Sequence, residues 1–297
     1  MKSYKEKVNE KNRADSSVRL LTDDELKQLK QTLLDTYLDI QAVCQKHGLT
    51  CMLLGGSTLG AIRHKGFIPW DDDLDMGMPR DDYEKLKQIF KTELGEKYVL
   101  NGPNYEGIPT NRFSKILVKG TRFVEGGSAE DERSCIKVDI FIIENVPDNP
   151  IIKYVKGLRC TVLMFIGGHV LSYEGWKRKN KKSKLTKRQA IGALFSFRTS
   201  KDWFDRLDYA YRCGNKNSGL MTIPAGRKHY FGEMHPREVF LPASEASFEG
   251  KKVYLPANPD AYLKKLYGDY MTVPPEEKRE HHYIKKISFG SAAPDDT

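Results

Sequence analysis

The sequence predicts an α+β protein in which helices flank a mixed β-sheet and a basic segment is inserted. The first reason is that strand-like and helix-like patterns alternate through the first half of the chain. The second is that turns, a strand and a short helix return near the C-terminus. The third is composition: 297 residues, 39% hydrophobic and 30% charged, suffice for a substantial core in one large or two modest domains.

The first predicted helix follows a polar arm, residues 1–18, that we expect to be flexible. Thr22 and Glu25 have the spacing of a capping box, which favours a helix that begins here. Gly48 is a typical residue for the helix end. In between, apolar residues recur every three or four positions, as on one face of an amphipathic helix: Leu26, Leu29, Leu33, Tyr37, Ile40 and Val43.

Strands and helices are then predicted in turn up to residue 150. TCMLL predicts a buried strand that ends at Gly55-Gly56, and Ser57 is expected to cap a short helix through about Arg63. WDDDLDMGM predicts the next strand, and RDDYEKLKQIFKTEL predicts a second helix. Three further strands are predicted, around residues 112–118, 121–124 and 136–143.

The rest of the chain divides into three predicted parts: a basic, partly apolar insert or helical subdomain at 151–230, a C-terminal part at 231–285, and a flexible tail at 286–297. Residues 151–201 carry a net charge of +12, whereas the remainder carries −3. Because the excess positive charge is confined to one segment, we do not expect a nucleic-acid partner.

Cysteine usage and the first residues favour a cytoplasmic protein. The five cysteines are odd in number and none forms a CxxC pair, so neither a disulfide framework nor a zinc site is expected. The stretch MKSYKEKVNEKNRADSS has no apolar core and therefore lacks the pattern of a signal peptide.

An acidic run inside an apolar frame is the main signal for function. Because side chains alternate along a strand, Asp71, Asp73 and Asp75 are predicted to share one face, while Leu74 and Met76 enter the core. Carboxylates two positions apart repel each other, and a hard divalent cation removes that repulsion. The alternative interpretation is an acidic turn that precedes a strand.

Asp139 supplies a further carboxylate, between Val138 and Ile140 in an otherwise hydrophobic strand. A buried carboxylate without a partner is costly, so it needs a cation, a hydrogen-bond donor or the same metal. We therefore predict that Asp73, Asp75 and Asp139 are the catalytic residues and bind Mg²⁺, or alternatively Mn²⁺. The other interpretation of Asp139 is a strand-end residue that caps a loop.

Two groups of residues are candidates for binding a phosphorylated substrate. Gly55, Gly56 and Ser57 follow a strand and open a helix, where free N–H groups and the helix dipole favour phosphate. The second group is basic: Arg63, His64, Lys278, Arg279 and His282. The alternative for the basic residues is that they lie at solvated helix ends.

The stretch GGSTLGAIRHKGFIPWDDDLDMGMPRDDYEKL resembles the signature of the LicD family of phosphotransferases. VDIF around Asp139 and the tail YGDYMTVPPEEKREHH stand where that family has its later motifs. The resemblance covers about residues 20–145 and 236–283 but not the segment between them. The family in turn resembles the nucleotidyltransferase superfamily, whose motif positions are matched here by Ser57, Asp73, Asp75 and Asp139.

The resemblance implies a nucleotidyltransferase-like catalytic core at residues 19–150, with an active site completed by residues 231–285. It implies metal-dependent transfer of phosphocholine, or a similar phospho-alcohol, from CDP-choline or a related CDP-alcohol. The acceptor would be a hydroxyl group of a cell-surface glycan, such as lipopolysaccharide, capsule or a teichoic acid precursor, in some cases lipid-linked. Two metals would bridge the pyrophosphate, and Asp139 would accept the hydroxyl proton.

Two other functions remain open. A nucleotidyltransferase that moves a nucleoside monophosphate to a small molecule would use the same motifs and would release pyrophosphate instead of CMP. A non-catalytic basic protein that binds membrane or RNA through residues 151–201 would explain the charge of that segment but not the aspartates.

Residues 151–201 themselves leave three interpretations open. The apolar run Cys160–Leu171 is shorter than the roughly 20 residues of a bilayer span, and eight basic residues follow within Lys177–Arg188. The segment would attach the protein to the anionic inner face of the cytoplasmic membrane, or draw an anionic glycan acceptor, or form a solvated loop over a buried helix.

Overall fold

The computed structural model describes residues 17–105, 112–126, 130–131, 133–178, 184–212, 215–279 and 282–290, although not the side chain of Lys278. Residues 1–16 of the predicted arm and residues 291–297 of the predicted tail lie outside this description.

The first half contains a sheet and three helices, in the order α1 (Asp23–Lys46), β1 (Met52–Leu53), α2 (Gly55–Arg63), β2 (Asp75–Pro79), α3 (Arg80–Glu93), β3 (Tyr98–Asn101), β4 (Ser114–Val118), β5 (Arg122–Glu125) and β6 (Lys137–Asn145). The second half continues with α4 (Pro150–Arg178), α5 (Lys187–Leu194), α6 (Ser200–Tyr211), β7 (Leu220–Thr222), α7 (His229–Gly232), β8 (Met234–Pro236), a 3₁₀ turn (Arg237–Val239), β9 (Ser244–Phe248), β10 (Lys251–Leu255), α8 (Pro259–Tyr267), a 3₁₀ turn (Glu276–Lys278) and β11 (Ile284–Ser288).

The central sheet has the strand order β1-β2-β6-β4-β3, with β7 and β8 continuing from β6. Strands β2 and β6 pair in parallel, and the other pairs of this sheet are antiparallel. Two antiparallel pairs lie apart from it, β9 with β10 and β5 with β11. The predicted α+β class with a mixed sheet and flanking helices is confirmed.

Helix α1 forms for the reasons that its sequence indicates. The Glu25 N–H donates to the Thr22 hydroxyl at 3.2 Å, and the Thr22 N–H donates to the Glu25 carboxylate at 2.9 Å, so the capping box is present. The apolar face, including Leu29, Leu33 and Tyr37, is buried in the main core together with side chains from β2 and β6. This helix therefore covers one face of the sheet.

Three sequence-based predictions need correction. Helix α2 begins at Gly55 with Leu54 as its N-cap, so Ser57 lies inside the first turn and does not cap the helix. The strand predicted from WDDDLDMGM begins only at Asp75, and the preceding aspartates lie in a loop. The tail predicted to be flexible from residue 286 includes the end of β11, which pairs with β5 as far as Ser288.

The segment after residue 149 folds as three helices that pack on one another. Gly167 of α4 faces Phe204 of α6, and Gly192 of α5 lies against the backbone of His169 of α4, contacts that larger side chains would prevent. Within the described residues, no helix is both long enough and apolar enough to cross a membrane. The apolar run Cys160–Leu171 lies within α4.

A buried ionic network joins these helices to the sheet. The Arg80 guanidinium donates to Glu144 of β6 at 2.9 Å through Nε, and to Asp208 of α6 at 2.7 Å through Nη2. Asp208 also accepts a hydrogen bond from Asn104 at 2.8 Å. Arg80, Glu144 and Asp208 are almost fully buried and have lost most of their contact with water. Each charge is therefore stabilised by the hydrogen bonds and ion pairs that it makes with the others.

We expect Arg80→Met to lower the free energy of unfolding by about 3–5 kcal/mol, since it leaves two buried carboxylates without their cation. Lys46→Met, which removes an exposed partner of Glu93, is the matched control and should have no measurable effect. Urea unfolding followed by circular dichroism measures both. If Arg80→Met lowers the free energy of unfolding by less than about 1 kcal/mol, water must replace the hydrogen bonds that Arg80 makes to the two carboxylates.

Candidate active site

A cleft of about 460 Å³ lies between the start of α2, the loop before β2, and the C-terminal part of the chain. Its size falls within the range of about 300–1,000 Å³ that is typical of small-ligand sites. The loop before β2 contributes Trp70, Asp71 and Asp73 to its lining, and helix α8 contributes Tyr262 and Tyr267. The cleft thus joins the two regions in which the sequence analysis placed its candidate residues.

The Gly-Gly turn exists because carboxylates pack against its backbone. Gly55 has φ +52°, and a Cβ there would lie 2.7 Å from the Asp75 carboxylate. A Cβ on Gly56 would lie 3.1 Å from the Asp71 carboxylate. The N–H of Gly55 is already taken, since it donates to the Tyr262 hydroxyl at 3.0 Å.

Ser57 holds Asp75 in place. The backbone N–H of Asp75 donates to the Ser57 hydroxyl at 2.9 Å, and Ser57 is buried. Its observed contact is therefore with the strand that carries the aspartate, which is a positioning contact.

Asp75 and Asp139 are neighbours across the parallel pair of strands. They are register partners on β2 and β6, and Lys115 on β4 is the next register partner of Asp139. The Lys115 ammonium lies 3.0 Å from the Asp139 carboxylate. The structure therefore places two of the three predicted metal ligands, Asp75 and Asp139, side by side and adds a lysine beside Asp139. Neither Asp139 nor Lys115 is part of the cleft lining.

Partial loss of surrounding water and repulsion between carboxylates raise the pKa values of the aspartates in the cleft, although Asp73 keeps an exposed surface and Asp71 and Asp75 are half-buried. The pKa of Asp73 rises to about 8 because of burial and the negative charges of Asp71 and Asp72. The pKa of Asp71 rises to about 6, and that of Asp75 also rises, through burial and repulsion between carboxylates. Several oxygen donors that repel one another fit a hard divalent cation, which would favour their ionised forms.

Among the described residues, one group of three places its ligand atoms within 4.8 Å of one another, and it consists of Asp71, Asp72 and His282; the predicted set Asp73, Asp75 and Asp139 does not meet that distance. The hydrogen bond with Asp72 raises the pKa of His282 to about 9, which favours the charged ring as the donor to the carboxylate. A metal at this group would have to displace that proton, because a histidine ligand binds in its neutral form.

The two basic residues at the end of α2 that were predicted to bind phosphate, Arg63 and His64, differ in their positions. Arg63 lines the cleft and is held by the Tyr270 and Thr272 carbonyl oxygens, at 2.7 and 3.3 Å. His64 is not part of the lining: it accepts a hydrogen bond from Arg63 at 3.0 Å and packs edge-on against Trp70.

Three tail residues were predicted to bind the substrate. Two of them line the cleft, and the side chain of the third lies outside the described part of the structure. Arg279 lies over the Trp70 ring, with its guanidinium carbon 4.2 Å from the ring centroid, and His282 pairs with Asp72. Both line the cleft. Lys278 has a described backbone only.

Several lining residues were not predicted. Arg227 and Glu233 come from the segment after β7, and burial raises the pKa of Glu233 to about 7. Their short stretch has no motif, so no local signal marked them. Asp71 was placed on the correct face, and the structure adds it to the carboxylates at the cleft.

Comparison with known proteins agrees with this geometry. The family described as "LicD/FKTN/FKRP, nucleotidyltransferase domain" matches residues 48–149, which include the Gly-Gly turn and the aspartates. Uncharacterized protein RP689 of Rickettsia prowazekii is 41% identical over 51 residues, 17% of this chain and 19% of its own length. Human ribitol 5-phosphate transferase FKRP is 37% identical over 65 residues, 22% of this chain and 13% of FKRP.

A longer match comes from the lipopolysaccharide cholinephosphotransferase LicD of Haemophilus influenzae. It is 31% identical over 255 residues, which make up 82% of this chain and 91% of that protein. The match therefore extends through the segment after residue 150, where the signature motifs end. With this identity over most of both chains, and with the family domain on the aspartates of the cleft, the chain belongs to the LicD family.

Proposed function

We propose that this protein transfers a phospho-alcohol, phosphocholine in the first instance, from a CDP-activated donor to a hydroxyl group of a cell-surface glycan. The observation that carries the proposal is the set of closely spaced carboxylates at the Gly-Gly turn, facing a cleft with arginines. The identity with a cholinephosphotransferase and with a ribitol 5-phosphate transferase supports the same class of reaction. We also propose that β2, β6 and α2 form a nucleotidyltransferase-like core.

The carboxylates fit a divalent metal, Mg²⁺ or Mn²⁺, because they are oxygen donors whose negative charges repel one another. Asp73 and Asp75 would hold it, with Asp139 beside them. A bound metal would offset the charge of the donor pyrophosphate and of the departing CMP.

The other residues of the cleft have roles that follow from their charge. Arg63 and Arg279 supply fixed positive charge for phosphate oxygens, since both already line the cleft. The acceptor oxygen forms a bond to the phosphorus of the phospho-alcohol, the bond from that phosphorus to CMP breaks, and Asp139 takes the hydroxyl proton. Lys115 holds Asp139 in position for this step.

The first prediction for this proposed function concerns Asp73 and Asp75. Asp73→Asn and Asp75→Asn should each lower turnover by orders of magnitude, because the amide lacks the charge that a metal needs. Without metal, the melting temperature should be unchanged or higher, since each change removes a negative charge that neighbouring carboxylates repel. Mg²⁺ should raise the melting temperature of the unmodified protein and not that of these variants.

Asp24→Asn, at an exposed position of α1, is the matched control and should keep both activity and the Mg²⁺ effect. Near-normal turnover in Asp73→Asn or Asp75→Asn would rule out the assignment.

The second prediction concerns the products. Incubation with CDP-choline, CDP-glycerol or CDP-ribitol and a glycan acceptor should release CMP, with CDP-choline fastest. Chromatography of the nucleotides measures this. Release of pyrophosphate from a nucleoside triphosphate, with no CMP, would favour the nucleotidyltransferase alternative. Faster release from CDP-ribitol would change the donor and keep the reaction class.

The third prediction concerns the choline headgroup. Five aromatic residues line the cleft: Trp70, Phe141, Tyr262, Tyr267 and Tyr270. The rings of two of them already meet a cation, Trp70 with Arg279 at 4.2 Å and Tyr267 with Arg227 at 5.7 Å, and the contact at Trp70 is the closer one. Trp70→Leu should raise KM for CDP-choline by the equivalent of about 0.5–2 kcal/mol and leave KM for CDP-glycerol nearly unchanged.

Tyr209→Leu removes an exposed aromatic ring outside this lining and serves as the control. An equal rise of KM for both donors in Trp70→Leu would show that the ring packs the cleft and does not select choline.

A further inference from the structure

Helix α4 exposes a stripe of large apolar side chains along its outer face. The apolar stripe consists of Ile151, Val155, Leu158, Val162 and Phe165, which are between 48% and 73% exposed. Their spacing alternates between four and three residues, which places them on one side of a helix. Fourteen residues of helix rise by about 21 Å, so the stripe is four turns long.

The opposite face of the same helix is already used for packing. Gly157 lies against Phe231, Gly167 lies against Phe204, and Cys160 and Val170 are buried. A helix that is apolar on two sides needs a second apolar surface besides its own core. Ile152 and Tyr154 widen the exposed face, at 57% and 64% exposure.

The groups around the stripe are basic. Arg188 of α5 donates to the Gly168 carbonyl oxygen at 3.4 Å, which places its guanidinium one turn beyond Phe165. Other exposed basic residues of this region are Arg159, Lys177, Arg178, Lys184, Lys187 and Arg198. Two of them, Arg159 and Arg198, line a groove together with Asp202 and Asp205 of α6. The one acidic residue of the segment, Glu174, is occupied, since it accepts hydrogen bonds from Ser200 at the start of α6.

We propose that the apolar stripe docks on the surface of an anionic lipid bilayer. An apolar helix face bordered by cations, with no free acid in the segment, complements acyl chains below and anionic headgroups beside it. The helix lies in the interface, since it is not apolar enough to cross the bilayer. The charge pattern is what favours a bilayer over a protein partner.

This surface is coupled to the cleft through the helix. Met164, on the inner side of α4, packs in a cluster with Phe113 and Phe141, and Phe141 lines the cleft. Docking therefore holds the site close to the bilayer, where an acceptor built on a lipid would be presented. The docking itself does not depend on the proposed reaction.

The test is co-sedimentation with phosphatidylcholine vesicles, with and without phosphatidylglycerol, at low and high salt. The protein should bind the vesicles that contain phosphatidylglycerol, and salt should weaken the binding. Val155→Glu/Leu158→Glu should lower the partition coefficient by about tenfold or more, and Lys184→Gln/Lys187→Gln by about tenfold.

Leu20→Glu and Lys27→Gln/Lys91→Gln make the same changes at exposed positions elsewhere, and should bind as the unmodified protein does. Melting temperatures and CMP release with a soluble acceptor should be unchanged in all four variants, which separates loss of docking from loss of fold or of activity.

Absence of binding to anionic vesicles at low salt would overturn the proposal, as would unchanged binding of Val155→Glu/Leu158→Glu. A dimer that this variant converts to a monomer, with no vesicle binding by either form, would also overturn it and assign the stripe to contact between two copies.

Discussion

The constraint on which this structure depends is the crowding of several carboxylates just before and at the start of one strand. Asp71, Asp73 and Asp75 come within five residues, and the chain places all three at the cleft. Their raised pKa values express the cost, because each ionised group has lost part of its contact with water and lies beside others of the same sign. Such an arrangement is costly in an isolated core and useful where a cation and a phosphorylated ligand bind.

The residues around these carboxylates leave room for them, hold their backbone in place or carry the opposite charge. Gly55 and Gly56 have no side chain where the carboxylates lie, and Ser57 holds the backbone of Asp75. Asp139 has Lys115, and Asp72 has His282. The cations therefore lie beside Asp139 and Asp72, and no ion pair is formed by Asp73 or Asp75 within the part of the chain that the structure describes.

The predictable parts of the fold are those fixed by neighbouring residues. The capping box of Thr22 and Glu25 and the apolar face of α1 act within a few turns, so their pattern is enough. The cap at Ser57 was predicted wrongly because Gly55, with positive φ, starts the helix two residues earlier. Strand β11 was missed because its lysines mask the alternation, and its partner β5 is about 160 residues away in the sequence.

At the cleft, too, the residues of a local motif could be predicted from the sequence, and the residues brought in by tertiary contacts could not. The aspartates and the Gly-Gly turn form one local motif, and the sequence was sufficient to find them. Arg227 and Glu233 reach the cleft, and Lys115 reaches Asp139, through tertiary contacts that no pattern around these residues indicates. The sequence showed an apolar run at Cys160–Leu171, but the exposed stripe of α4 begins at Ile151 and shares only Val162 and Phe165 with that run.

The central claim is that the carboxylates of the cleft form a metal site, and diffraction from crystals grown with Mn²⁺ and CDP-choline tests it most directly. The account predicts an anomalous peak bound by Asp73 and Asp75, at about 2.0–2.3 Å from their oxygens. A peak held by Asp71, Asp72 and His282 alone, or none at the cleft with the donor bound, would contradict it.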